Sequence, residues 1–206
     1  MASEAQIKAQ HLYVSMLEEV KVRIDCINIA LNGNTNLPER GAIEFCYLQI
    51  RMLCELIALG CLVVHGDIEQ TRSLHKTWAA DEIVKRLGDL HPDFYPHPVR
   101  ITFPNPGHVH IEKVESGFLT KDDLIKLVGL SGNILHRGSL KTLVPPNRLL
   151  STGFQGVRDW GQRIVTLIEQ HRIGLLGGNA HFVCALANVN NEVQVAIAEL
   201  PLSSDS

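Results

Sequence analysis

Residues 38–65 are apolar nearly all the way round a helical projection, with runs such as Phe45–Leu48 and Leu53–Leu59. A helix of this composition must be covered by other parts of the protein on most sides, so we expect it at the centre of the core. It begins near Pro38, because the missing proline N–H costs nothing in a first helical turn, and Gly66 ends it.

This central helix is not expected to cross a membrane. Its most apolar run, Leu56 to Val64, is shorter than the roughly 20 residues that span a bilayer, and two charged residues, Arg51 and Glu55, precede it. Residues 1–10 lack the apolar region of a secretory signal. We therefore expect a cytoplasmic protein.

The net charge and the cysteine content further narrow the type of protein to expect. The 206-residue chain has a formal net charge of -3 and no basic footprint, so DNA is not an expected partner. Its five cysteines are an odd number without C-x-x-C spacing, and we interpret them as reduced core thiols.

Four further helices are predicted. A capping box, Ser3 with Gln6, starts a long amphipathic helix that stops at Asn32-Gly33. The others span about Asp67 to Leu87, with Trp78 as a core position, about Thr120 to His136, and the segment after Pro145-Pro146 up to His171.

Two segments break the helical pattern. Five prolines between Gly88 and Gly117 predict a Pro- and His-rich excursion over residues 88–118 and argue against an interior strand before Gly107. Two β-prone runs, His181–Ala187 and Glu192–Leu200, predict a hairpin, and an earlier strand could cover Ile173–Leu176.

The expected fold is therefore mainly α, a bundle of about five antiparallel helices closed by a C-terminal β-hairpin. We expect one domain, with a helical body over residues 1–172, the hairpin over 173–200 and a disordered tail over 201–206. The long seam of the first helix and the free hairpin edges suggest a homodimer.

The segment Gly129–Gly138 carries the most informative pattern. On a helix, Gly129, Gly132, Asn133 and His136 share one stripe, in which small residues are followed by an amide and an imidazole. Because interior glycines weaken a helix by roughly 1 kcal/mol each, we expect a backbone or a ligand to approach this face closely.

A charged stripe, Glu44, Arg51 and Glu55, projects from the otherwise apolar central helix. Arg51 and Glu55 are expected to pair, and each side chain could reach a further polar group such as His136. A histidine oriented by Glu55 or Asn133, beside an arginine that holds an anion, could act as a general acid or base on a phosphodiester. The competing interpretations are a structural ion pair and a histidine that caps its helix.

The helical layout and the sequence Ser131-Gly-Asn-Ile-Leu-His-Arg-Gly138 resemble the HEPN superfamily of small helical proteins, which includes metal-independent RNases, toxins and antiphage components. The resemblance covers about Gly41 to His136 and implies a role for His136 in RNA cleavage. Catalytic members carry an arginine four to six residues before the histidine. Those positions hold Gly132, Ser131 and Leu130 here, so Arg51 or Arg137 would have to replace that arginine.

A further pattern, His108-Val-His110-Ile-Glu112, would place two histidines and a carboxylate on one face of a strand. Such a set could make an open metal site, but the polar outer face of a half-buried strand has the same pattern. The chain lacks the nucleotide-binding, zinc-protease and serine-hydrolase motifs, so no cofactor and no metal is expected.

These observations favour an RNA-binding protein or metal-independent RNase of a defence or toxin–antitoxin system, using Arg51, Glu55, Asn133 and His136. The alternative is a non-enzymatic helical interaction or regulatory module in which the same residues form a structural polar network.

Overall fold

The computed structural model describes residues 3–66, 79–105, 108–135, 153–175 and 180–199. The helices in these ranges are α1 (Glu4–Leu31), α2 (Glu39–Val64), α3 (Ala80–Leu90), α4 (Lys121–Leu135) and α5 (Gly153–Ile168). The strands are β1 (His97–Asn105), β2 (His108–Lys113), β3 (Gln170–Gly174), β4 (Ala180–Ala185) and β5 (Gln194–Glu199).

The predicted helix starts are confirmed where the structure describes them. Ser3 and Gln6 form the reciprocal capping box at the start of α1, and Gly33 takes the left-handed conformation just beyond its end. Pro38 precedes the first turn of α2. The Thr120 hydroxyl accepts a hydrogen bond from Asp123 N at the start of α4.

The central position of α2 is also confirmed, because α1, α3, α4 and α5 all pack against it. Fourteen of its residues are buried, and they lie on most sides of the helix. By length and composition α2 could also cross a membrane, but 61% of its most apolar stretch is buried within the fold, as in the core helix of a globular protein.

The β structure is larger than the predicted hairpin. The hairpin exists as β4 and β5, but it belongs to a five-stranded antiparallel sheet with the order β2-β1-β3-β4-β5. The protein is mainly α with a β-rich C-terminal part, and a simple antiparallel bundle is not confirmed for the described residues.

The expectation that the prolines exclude an interior strand is wrong, since β1 lies between β2 and β3. Pro98 O accepts from Val114 N, and the N–H and C=O of one residue point to the same side of a strand. The position at which Pro98 lacks an N–H therefore faces the β2 side, beyond Val99–Lys113, the last pair of the β1–β2 ladder. On the other side, the Gln170 side chain accepts from Ile101 N at 2.7 Å, where direct pairing with β3 has ended.

The outer edge of β5 is occupied by side chains of α1. Gln10 Nε2 donates to Val195 O at 2.5 Å, and Glu18 Oε1 accepts from Val193 N at 3.3 Å. These contacts cover an edge that would otherwise offer free backbone groups to another strand.

Several predictions fall outside the described residues. They concern residues 67–78, which include Trp78, the Pro145-Pro146 pair, His136 and Arg137, and the tail 201–206. The third predicted helix, about Asp67 to Leu87, is not continuous: Ala79 is extended, so α3 begins at Ala80, and it ends at Leu90.

Candidate functional site

Arg51 and Glu55 form the predicted ion pair on α2, with Arg51 Nε 3.0 Å from Glu55 Oε1. Their side chains are 23% and 31% exposed, so the pair is neither sealed in the core nor free in solvent. The four-residue spacing places both groups on one side of the helix. Glu44 does not join them; it pairs with Arg40 at 3.0 Å, one turn away.

The Arg51 guanidinium lies against α4 at Gly132. A Cβ atom at position 132 would lie 3.4 Å from Arg51 Nη1, which is tighter than an ordinary contact. The group that approaches this face of α4 is therefore a side chain of α2. The close approach does not extend along the predicted stripe, because Gly129 is exposed and a Cβ there would contact nothing.

The remaining predicted site residues are not brought to the ion pair within the described part of the chain. Asn133 lies on α4 next to Gly132 but is exposed to solvent. His136 follows Leu135, the last residue of α4, and lies outside the described residues. The structure thus brings together two of the four predicted residues, Arg51 and Glu55.

Two neighbours define the chemistry around this pair. Ser131 is fully buried, and its hydroxyl has no hydrogen-bond partner among the described residues. Cys54 is also buried, and this burial raises the pKa of its thiol to about 12. A thiolate at Cys54 is therefore unavailable as a nucleophile at neutral pH.

All five cysteines are unpaired, as expected from their spacing. Burial raises the thiol pKa to about 11 at Cys46 and raises it further at Cys61 and Cys184. The four buried thiols are therefore inert, whereas Cys26 is only half-buried.

The His-x-His-x-Glu pattern lies on β2. His110 and Glu112 are both exposed, Ile111 between them is half-buried, and Glu112 faces Arg100 of β1 at 3.9 Å. Across the described ranges, no group of three or more His, Cys, Asp or Glu side chains is arranged to hold a metal ion. For His110 and Glu112, the outer face of a strand is the observed arrangement.

A second polar cluster was not predicted from the sequence. His97 of β1 lies opposite Arg172 of β3, and His97 Nε2 is 2.5 Å from Asp93 Oδ1. The other oxygen of Asp93 is 3.9 Å from Arg172 Nη1, which in turn is 3.1 Å from His181 Nδ1 on β4. The sequence offered only the clustering of histidines in the proline-rich segment as a signal.

Two more histidines adjoin this cluster at Gly174. Nε2 of His65 and Nε2 of His91 lie 3.0 and 3.1 Å from the Gly174 carbonyl oxygen, and the two rings meet edge to face. His65 is buried, and its Nδ1 is 2.7 Å from Cys61 O. These contacts tie the end of α2 and the loop after α3 to β3.

The sheet also contributes a buried imidazole to the core. His171 Nδ1 donates to Ile168 O, so in the neutral ring Nε2 accepts from the Tyr13 hydroxyl at 2.7 Å. Burial lowers the pKa of His171 to about 4 and raises that of Tyr13 well above 10. Both groups stay neutral at physiological pH, and their bond joins α1 to β3.

Comparison with protein-family models, with curated proteins and with solved structures finds no match. The geometry of the side chains therefore carries the functional argument.

Proposed function

We propose that this protein is a HEPN-like, cytoplasmic RNA-binding protein that cleaves RNA without a metal ion, and that its site comprises Arg51, Glu55, Asn133 and His136. The observation that supports the proposal is the position of Arg51. Glu55 holds its guanidinium against Gly132, four residues before His136 in the sequence.

A guanidinium is suited to this task because its planar set of N–H donors matches the oxygens of a phosphate group. Arg51 bonds to Glu55 through Nε, and among the described residues its terminal nitrogens have no hydrogen-bond partner, which leaves their donors for a phosphodiester. The carboxylate fixes the orientation of the side chain, and the partial exposure of the pair gives RNA access to it.

The RNA itself would supply the nucleophile, since the neighbouring Cys54 thiol stays protonated. In the proposed reaction the 2′-hydroxyl oxygen attacks phosphorus while its proton passes to a base, and the 5′-oxygen leaves with a proton. The products are a 2′,3′-cyclic phosphate and a 5′-hydroxyl end. His136 would carry the proton, because an imidazole titrates close to neutral pH.

The test compares RNA binding and cleavage by the wild type with Arg51→Ala, Glu55→Gln and His136→Ala, in the presence of EDTA. Arg40→Ala is a matched control, because Arg40 and Glu44 form an ion pair of the same spacing and length on the same helix. We expect the Arg51 and His136 variants to lose cleavage, and the control to retain it. An RNA oligonucleotide with a 2′-O-methyl group at every position, which cannot supply the attacking hydroxyl, should bind and stay intact.

A wild type that neither binds nor cleaves RNA would contradict the proposal and favour the helical interaction module. That alternative is supported by large apolar side chains on the surface of α1, among which Val22 is 55% and Ile29 47% exposed. A homodimer is part of either proposal. The two sequence features that suggested a homodimer support it less in the folded chain. The apolar seam of α1 is buried against the core, and α1 side chains contact the edge at β5.

A further inference from the structure

The guanidinium of Arg172 is held in place, but some of its N–H donors make no hydrogen bond to the described residues. Its side chain is only 20% exposed, and Nη1 makes both of its polar contacts, with His181 Nδ1 and with Asp93. Within the described ranges, Nε and Nη2 have no hydrogen-bond partner, and the side chain keeps part of its surface exposed. Hence an oriented cation presents free donors at an accessible position.

Asp93 fixes this arrangement without occupying those donors. Its carboxylate lies over Gly174, where a Cβ atom would overlap it, so the glycine makes room for the acid beside β3. One oxygen contacts His97 and the other faces Arg172 at 3.9 Å. The charge of Asp93 is thereby balanced by Arg172.

His181 lies beside the guanidinium with a defined ring nitrogen, and His97 lies opposite Arg172 on the neighbouring strand. Because Arg172 can only donate, His181 Nδ1 accepts from it, and in the neutral ring the remaining N–H is on Nε2. Burial and then Arg172 lower the pKa of His181, while Asp93 raises it. A ligand with negative charge at this point would favour protonation of the ring.

We infer that Arg172, His97 and His181 form a second ligand site, which binds a phosphate group. A phosphate matches the set because its oxygens can accept from the free guanidinium nitrogens and from the Nε2–H of His181, with the His97 ring beside them. The site does not depend on RNA cleavage and shares no residue with the site on α2.

The experiment titrates the full chain with inorganic phosphate at pH 7 and follows the imidazole C–H signals by NMR. We expect saturable shifts for His97 and His181, and none for His11, which is exposed on α1. Arg172→Gln and His181→Gln should each weaken phosphate binding roughly tenfold or more, as expected for the loss of a charge-assisted hydrogen bond. The unfolding midpoint of each variant shows whether it is folded.

Arg100→Gln is the control, because Arg100 lies on β1 and its side chain is 70% exposed. Its affinity for phosphate should equal that of the wild type. One RNA oligonucleotide, with and without a 5′-phosphate, then identifies the source of the group. A preference for the phosphorylated form that is lost in Arg172→Gln but kept in Arg51→Ala indicates an RNA end, and equal binding indicates a small phosphorylated ligand.

Unchanged imidazole signals at saturating phosphate, or equal affinities of the wild type and a folded Arg172→Gln variant, would overturn the inference. Neither result bears on the α2 site, whose test is RNA cleavage.

Discussion

Lowering the pH should destabilise the fold through His171, an imidazole that is fully buried between α1 and the sheet. Its pKa is about 4 in the folded protein and 6.5 in its ordinary state. The unfolded chain therefore binds a proton more readily than the folded one as the pH falls below 6.5. The sign is fixed by this difference: stability is complete above pH 6.5 and declines toward pH 4.

The magnitude follows from linkage. At about 1.36 kcal/mol per pH unit, the whole shift corresponds to roughly 3 kcal/mol, of which about 2 kcal/mol is lost by pH 5. Two contacts hold the ring neutral, since Nδ1 donates to Ile168 O and Nε2 accepts from Tyr13. A proton on Nε2 would prevent this nitrogen from accepting from Tyr13 and would leave a charge in the core.

The assay is urea unfolding of the wild type and of His171→Gln at pH 7.5 and pH 5. Glutamine cannot titrate, but its amide oxygen can accept from Tyr13. The wild type should lose about 2 kcal/mol more than this variant between the two pH values. His11→Gln, which removes an exposed histidine, should keep the pH dependence of the wild type. Equal losses in the wild type and His171→Gln would refute the reasoning.

The remaining predictions concern single side chains. Gly60→Ala should lower the free energy of unfolding by about 1–2 kcal/mol, because a Cβ there would lie 2.8 Å from Tyr13 Cε2 and this clash outweighs the gain in helix propensity. Gly129→Ala should raise it by about 0.5–1 kcal/mol, since the added methyl meets nothing. Arg51→Ala should cost about 1–2 kcal/mol and Arg40→Ala under about 0.5 kcal/mol, both by urea unfolding. Titration of the denatured chain without reductant should return five free thiols.

Local signals in the sequence predicted the helices well. The capping box at Ser3, the proline before α2 and the threonine at the start of α4 act within a few residues of where they stand in the chain. Ser3 and Thr120 accept from backbone N–H groups that a helix start leaves free, and Pro38 has no N–H that would need a partner there. The all-round apolar character of α2 likewise has one physical outcome, burial among the other helices.

The sheet could not be predicted in the same way. β1 joins β3 across a long stretch of chain, and the pairing depends on where the ladder places Pro98, which composition does not reveal. A count of prolines treats every one as a strand breaker. Only the register shows that this proline lies where no N–H is required.

The two candidate sites differ in the same way: one could be predicted from local spacing and the other could not. Arg51 and Glu55 are four residues apart on a helix, so their contact followed from periodicity. Arg172 and His97 come from distant strands and meet only through sheet pairing. Asn133 shows the opposite error: it shares a predicted stripe with Gly132, but helical spacing alone does not say which part of that stripe faces another element.

The glycines explain why the predicted stripe was only partly informative. Gly132 and Gly174 each lie where a charged side chain from another part of the chain approaches the backbone, Arg51 at the first and Asp93 at the second, whereas Gly60 lies against the ring edge of Tyr13. A missing Cβ admits such a side chain but does not attract it, and exposed Gly129 has the same sequence character without any neighbour. A glycine inside a helix or strand therefore marks a close contact only where a side chain from a neighbouring part of the fold is long enough to reach it. The Arg51 side chain reaches Gly132 because its hydrogen bond to Glu55 holds the guanidinium there.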